Sequence, residues 1–302
     1  MTKKKPILIT GAHRSGTTWI GRVLESSNEV YYIHEPFNIQ NKRGYTPFKY
    51  WFHYLNSKSS NLLQENTLKY LKSLYSIKGS GFYKELFRIS TVKGLYKFIK
   101  DRNNRREKRP LIKDPIALMS TLWIYENLNC FVIIAIRHPA AFVASIKLKN
   151  WRFDFKNFLD QKELMESYLV PYKEKIKDFC ENEYSIIEQG ILLWNCIYSI
   201  VYNFKQTKSE NKDWMFVKHE TLSKNTIDEF KKIFSFSQLT FSENVKNKII
   251  ETTQPKVESE HERDVLKNIK SWKQRLTQNE ISNIKEQTFD VWRHFYVEKD
   301  WE

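Results

Sequence analysis

Apolar residues in this chain gather into short unbroken runs, separated by longer stretches with helical periodicity. Four runs have the length and the Ile and Val content of strands: PILIT from Pro6, VYYIH from Val30, CFVIIAI from Cys130 and WMFVKH from Trp214. PLIK from Pro110 is a weaker fifth. Continuous rather than alternating runs predict strands covered on both faces. Helices are expected after Gly16, after Pro115, after Pro139 (where proline suits a first turn) and over 188–205. This alternation implies an α/β fold built on a doubly wound parallel sheet. With 302 residues and no linker or repeat, residues 1–302 read as a single domain.

Two long intervals, 37–109 and 150–188, break the alternation and are helical in pattern, with many Phe, Tyr, Trp and Lys residues. They read as helical insertions over the ligand-binding edge of the sheet, although for any one of their aromatics an ordinary place in the core is the favoured reading. Near the end of the first, KDRNNRREKR from Lys100 carries eight charges, six of them positive. A solvated loop is the expected form of this stretch, and a dock for an acidic acceptor is the other reading.

Charge narrows the class of partner. Fifty Lys and Arg against 35 Asp and Glu give a net charge of +15, a field that favours nucleotides, acidic glycans, nucleic acid or a membrane surface. Cys130, Cys180 and Cys196 lack paired spacing and histidine neighbours, so free thiols are expected rather than disulfides or zinc. Lys3, Lys4 and Lys5 resemble the start of a signal peptide, but the apolar stretch after them stops at His13 and Arg14. CFVIIAI is cut by Arg137 and His138, far short of the roughly 20 residues of a membrane span. The expectation is a soluble, cytoplasmic protein without a transmembrane segment, with peripheral membrane contact left open.

The candidate chemistry begins in ITGAHRSGTTWIG, from Ile9, between the first strand and the first helix. Gly11 and Gly16 have the spacing of a phosphate-binding loop, yet Thr17 stands where that loop needs its lysine. A cation is supplied instead by Arg14. The backbone N–H groups of Ser15, Gly16, Thr17 and Thr18 at a helix N-terminus suit an anion without a metal. The expected architecture is therefore P-loop-type.

An RSGTTW loop after a first strand resembles the 5′-phosphosulfate loop of sulfotransferases, which use 3′-phosphoadenosine 5′-phosphosulfate (PAPS). A second motif agrees with the first: VIIAIRHPAAFVASIK sets Arg137 at a strand end and Ser145 eight residues later. In that family such a pair grips the 3′-phosphate. An arginine fork with a hydroxyl donor is suited to phosphate, and a carboxylate partner for Arg137 is the bland alternative. The resemblance implies sulfuryl transfer from PAPS to an acceptor hydroxyl, leaving 3′,5′-ADP, with no metal. Arg14, Ser15, Gly16, Thr17, Thr18, Arg137 and Ser145 would bind the donor.

Such a transfer needs a base for the acceptor proton and charge stabilisation at the leaving group. YYIHEPF ends the second predicted strand, and His34 and Glu35 would point to opposite sides if the extended chain ran through both. By resemblance to carbohydrate and protein-tyrosine sulfotransferases, Glu35 is favoured as the base and His34 is the alternative. PLIKDP offers Lys113, which in related KDP sequences is directed at the transferring group; a surface lysine beside an Asp114 helix cap is the other reading. NIKSWKQRLTQNE resembles the family's closing segment, through which Lys270 or Lys273 could reach the 3′-phosphate and Trp272 could pack beside the loop. FVKHETL, from Phe216, is similar to a strand end common in the family, with a structural part. The insertions would form the acceptor side, and the arginine-bearing loop with HEP favours a glycan. Two rivals stand beside this reading. A metal-dependent P-loop kinase lacks its lysine here, and a basic nucleic-acid-binding protein lacks any recognised module.

Overall fold

The computed structural model describes residues 5–40, 46–76, 86–87, 89–253 and 269–302. Lys3 and Lys4 of the basic start, and parts of the first insertion and of the closing segment, lie outside the described residues. The strands are β1 (Ile7–Gly11), β2 (Val30–His34), β3 (Arg109–Lys113), β4 (Phe131–Ile136) and β5 (Trp214–Lys218). They pair in parallel in the order β2-β3-β1-β4-β5.

Helices of eight or more residues among the described residues are α1 (Thr17–Glu25), α2 (Asn61–Ser73), α3 (Val92–Glu107), α4 (Thr121–Leu128) and α5 (Pro139–Lys149), followed by α6 (Lys173–Glu181), α7 (Ile186–Lys208), α8 (Thr226–Phe236), α9 (Glu243–Thr253) and α10 (Gln278–Gln287). Alternate strand residues feed opposite faces of the sheet, which explains the unbroken apolar runs. Leu8, Ile112, Val132 and Ile134 join the core under α4, α5 and α7, while Ile7, Ile9, Leu111 and Ile133 join the core under α1, α8 and α9. Both faces are covered, as a doubly wound α/β sheet requires. Truncating one of these side chains, as in Ile134→Ala, removes about 2–5 kcal/mol of stability.

Two expectations about local structure change. After Pro115 the chain first forms a 3₁₀ helix, Pro115–Ser120, capped by Asp114, before α4 begins. The charged stretch from Lys100 forms the second half of α3 as far as Glu107, and its last residue, Arg109, opens β3, so it is not a loop. Thr91 caps that helix by accepting the Gly94 N–H at 3.0 Å, and its Lys, Arg and Glu content is favourable to helix. Arg102 and Arg109 are buried rather than solvated, Arg102 over the Phe98 ring at 4.9 Å. The three cysteines are free thiols, Cys130 and Cys196 buried. No helix among the described residues is long and apolar enough to cross a membrane.

Candidate active site

In a parallel sheet every strand ends at the same edge, and ligand crevices open where connections leave neighbouring strands in opposite directions. Here that point lies between β1, whose chain turns toward β2, and β4, whose chain turns toward β5. The loop from β1 presses against β4: Gly11 has φ 140°, and a Cβ there would run into the Ala135 carbonyl. Gly16 has φ 93°, and a Cβ would lie 2.7 Å from His219 Nδ1. Both positions require glycine. Gly16 is also the N-cap of α1 and supplies no side chain, so the first amides of α1 open onto the loop without a side-chain cap. Ser15 is committed elsewhere: its N–H and its hydroxyl both donate to the Ala12 carbonyl, at 3.2 and 2.5 Å. The anion-facing donors of the loop are therefore the amides from Gly16 onward; Thr17 is buried and Thr18 exposed.

Arg14 takes a left-handed φ of 66°, a strained conformation for a side-chain-bearing residue. Its Nε donates to Ser145 Oγ at 2.9 Å, and Arg137 Nη1 donates to the Arg14 carbonyl at 2.6 Å. The loop motif and the Arg137/Ser145 motif, 131 residues apart in sequence at the Arg14 and Ser145 pair, thus meet directly. Arg137 is fixed by its own backbone. Its N–H donates to the Tyr198 hydroxyl at 2.7 Å and its carbonyl accepts from Trp194 Nε1 at 3.1 Å, both on α7.

On the other side of β1, Glu35 and Lys113 form an ion pair at 2.5 Å. Lys113 is wholly buried, which removes the surface-lysine alternative. Its stem packs beneath α1, where a Cβ on Gly21 would lie 3.3 Å from Lys113 Cγ. Glu35 has φ 45°, so the extended chain ends at His34 and the two side chains do not diverge. His34 Nε2 lies 3.8 Å from Glu35 Oε2, which also accepts from Asn38 Nδ2 at 3.1 Å. Burial pushes the Glu35 carboxyl up, but the hydrogen bond and charge of Lys113, with help from His34 and Asn38, bring it below the usual carboxylate range. Asp114 is a cap: Oδ1 accepts from the amides of Ile116 and Ala117, and Oδ2 from that of Phe37 at 2.6 Å. Its complete burial raises it to about 7.

The closing segment reaches the same region from behind. Trp272 is buried and stacked on His138 with ring centroids 5.4 Å apart, while Lys270 is exposed and Lys273 bonds the carbonyl of Glu302. Glu220, in the stretch expected to be structural, accepts from the His138 N–H and from Tyr296. Asn38 and Tyr198 hold candidate site residues and gave no sequence signal, because one acts through a turn and the other through a contact far along the chain; His219, in the FVKHETL stretch, packs close to Gly16. His13 is a further case. It is buried against Phe52, Phe142 and Trp151, the last at 4.1 Å, and burial with the neighbouring Arg14 charge lowers it to about 3.

Residues 4–300 match the family model described as a sulfotransferase domain. The chain belongs to the sulfotransferase family. Similar solved structures include a sulfotransferase domain from the curacin biosynthetic pathway, 13% identical, covering 95% of this chain and 98% of that one with a TM-score of 0.47. A mouse sulfotransferase complexed with PAP is 13% identical over 97% of this chain and 86% of its own, with a TM-score of 0.47. Sulfotransferase STF9 from Mycobacterium avium is 11% identical over 99% and 78%, with a TM-score of 0.46. No curated protein matches the sequence. The protein is accordingly a PAPS-dependent sulfotransferase that carries a sulfuryl group to an acceptor. The residues present fit that donor chemically, since an uncapped helix N-terminus, two arginines and a serine hydroxyl, all groups suited to phosphate, are brought together.

Proposed function

We propose that this sulfotransferase sulfates a hydroxyl of a carbohydrate, with Glu35 as the base, in one domain whose 37–109 and 150–188 segments form the acceptor side. The observation that carries the base assignment is the Glu35 carboxylate itself, kept ionised by Lys113 at the strand edge beside the loop. An ionised carboxylate accepts the proton of the attacking hydroxyl, and Lys113 fixes its position. Arg14 and the amides from Gly16 through Thr18 hold the 5′ end of the donor and take up the charge that grows there. Ser15 contributes by closing the turn that aims those amides. Arg137 and Ser145 hold the 3′-phosphate, with Lys270 as an added cation at the surface. When bound, PAPS supplies an activated sulfuryl group and is left as 3′,5′-ADP.

A sugar acceptor is supported by two partly exposed tryptophans, one from each insertion. Trp51 and Trp151 meet edge to face at 6.0 Å, and Trp151 leans on His13 of the loop. Aromatic rings of this kind pack against the C–H face of a pyranose. The test is incubation with labelled PAPS and a panel of glycans, a tyrosine peptide and simple alcohols. Label is expected on a glycan, and Glu35→Gln is expected to lower its rate by about 10²–10⁴ while 3′,5′-ADP still binds. Undiminished turnover in Glu35→Gln would place the base elsewhere, and label on the peptide or alcohols alone would refute the sugar.

A further inference from the structure

Helix α3 turns an apolar stripe to solvent. Successive positions rotate by about 100°, which aligns Val92, Leu95, Tyr96 and Ile99 on one side, with exposures of 86, 43, 67 and 49%. Its opposite side is the anchored one. Asp101 accepts from the Tyr31 hydroxyl of β2 at 3.2 Å and pairs with Arg105 at 2.9 Å, and Arg102 is buried. Lys93, Lys97 and Lys100 follow one another along a flank of the stripe and are all exposed. No ion pair among the described residues involves these three lysines. Just upstream, Phe87 is 84% exposed. A folded protein has no internal reason to hold four large apolar residues in water beside a row of unpaired cations.

We propose that α3 is a membrane-surface helix, which rests its Val92, Leu95, Tyr96 and Ile99 stripe in a lipid surface carrying anionic headgroups. The two features together select this partner. A soluble polyanion would engage the lysines and leave the stripe wet, and an apolar peptide would cover the stripe and leave the lysines unmatched. Anionic lipid satisfies both, with acyl chains for the stripe and headgroups for the ammonium groups. A second copy of the chain is disfavoured, because a symmetric contact through α3 would bring the same lysines together on a protein already at +15. The helix leads directly into β3, the strand that carries Lys113, so the surface would sit on the first insertion.

Flotation of the full chain with vesicles tests this independently of sulfuryl transfer, since the vesicles contain no acceptor. The protein is expected to float with phosphatidylcholine vesicles that contain about 30% phosphatidylserine and not with phosphatidylcholine alone, and to be released by raised salt. The triple change Lys93→Gln, Lys97→Gln, Lys100→Gln should weaken binding on the order of 100-fold, at about fivefold per lysine. Leu95→Asn with Ile99→Asn should also release the protein, and retained 3′,5′-ADP binding shows that each variant is folded. Equal binding to both vesicle types, no binding to either, or undiminished binding by the lysine variant would overturn the proposal. So would a concentration-dependent dimer that Leu95→Asn with Ile99→Asn dissolves.

Discussion

Glu35 sits between two opposed influences whose balance can be measured. Burial alone would raise its carboxyl toward neutrality, and the Lys113 ammonium at 2.5 Å reverses that. Because the folded value lies below the unfolded one, the pair stabilises the protein above about pH 4.5, and that contribution disappears as pH falls through the folded value. Replacing the cation leaves burial opposed only by the weaker influences of His34 and Asn38. Lys113→Met is therefore expected to move the acid limb of the kcat/KM profile to higher pH, whereas a lysine that acted on the sulfuryl group alone would lower kcat and leave the limb in place. Rate profiles between pH 4 and 8 distinguish the two. Glu35 was readable as a candidate from HEP in the sequence. Its orientation was not, because φ 45° at that residue ends the strand early and turns the carboxylate back toward His34.

The loop and α1 meet at Gly16, the N-cap of the helix, which packs close to His219. A methyl group there meets His219 and a left-handed backbone at once. Gly16→Ala is expected to lower stability by about 1–3 kcal/mol and to weaken 3′,5′-ADP binding, as read by thermal melts with and without the nucleotide. The strands were legible element by element, since a five-residue Ile and Val run between turn residues leaves few alternatives. Helix α3 was legible only in part: the interval that holds it was helical in pattern, but its second half mixes Asp101, Arg102 and Arg105 on the inner side, and that charge suggested a loop. The Arg14 to Ser145 bond was hidden: each motif could be read from its own spacing, but their contact follows from the β1–β4 pairing, a long-range property of the sheet.

At the scale of the molecule, two histidines buried in the neutral form couple stability to pH. Burial and an adjacent arginine lower His13 and His138 to about 3 each. Unfolding frees both to bind protons below pH 6.5, so stability should fall as pH drops from 6.5 toward 3, by at most about 1.4 kcal/mol per pH unit for each ring. His13→Leu should flatten that slope in melting curves recorded across the window. The positive charge has two separable proposed uses: at the β1–β4 end of the sheet, and on the outer side of α3. Only the first is needed for transfer. The proposed transfer depends on a nucleotide gripped at its 3′-phosphate by Arg137 and Ser145, and titration calorimetry measures that grip directly. Binding of 3′,5′-ADP is expected to be at least about 10-fold tighter than that of 5′-AMP, with the difference lost in Arg137→Ala. Equal affinity of the wild-type protein for the two nucleotides would contradict it.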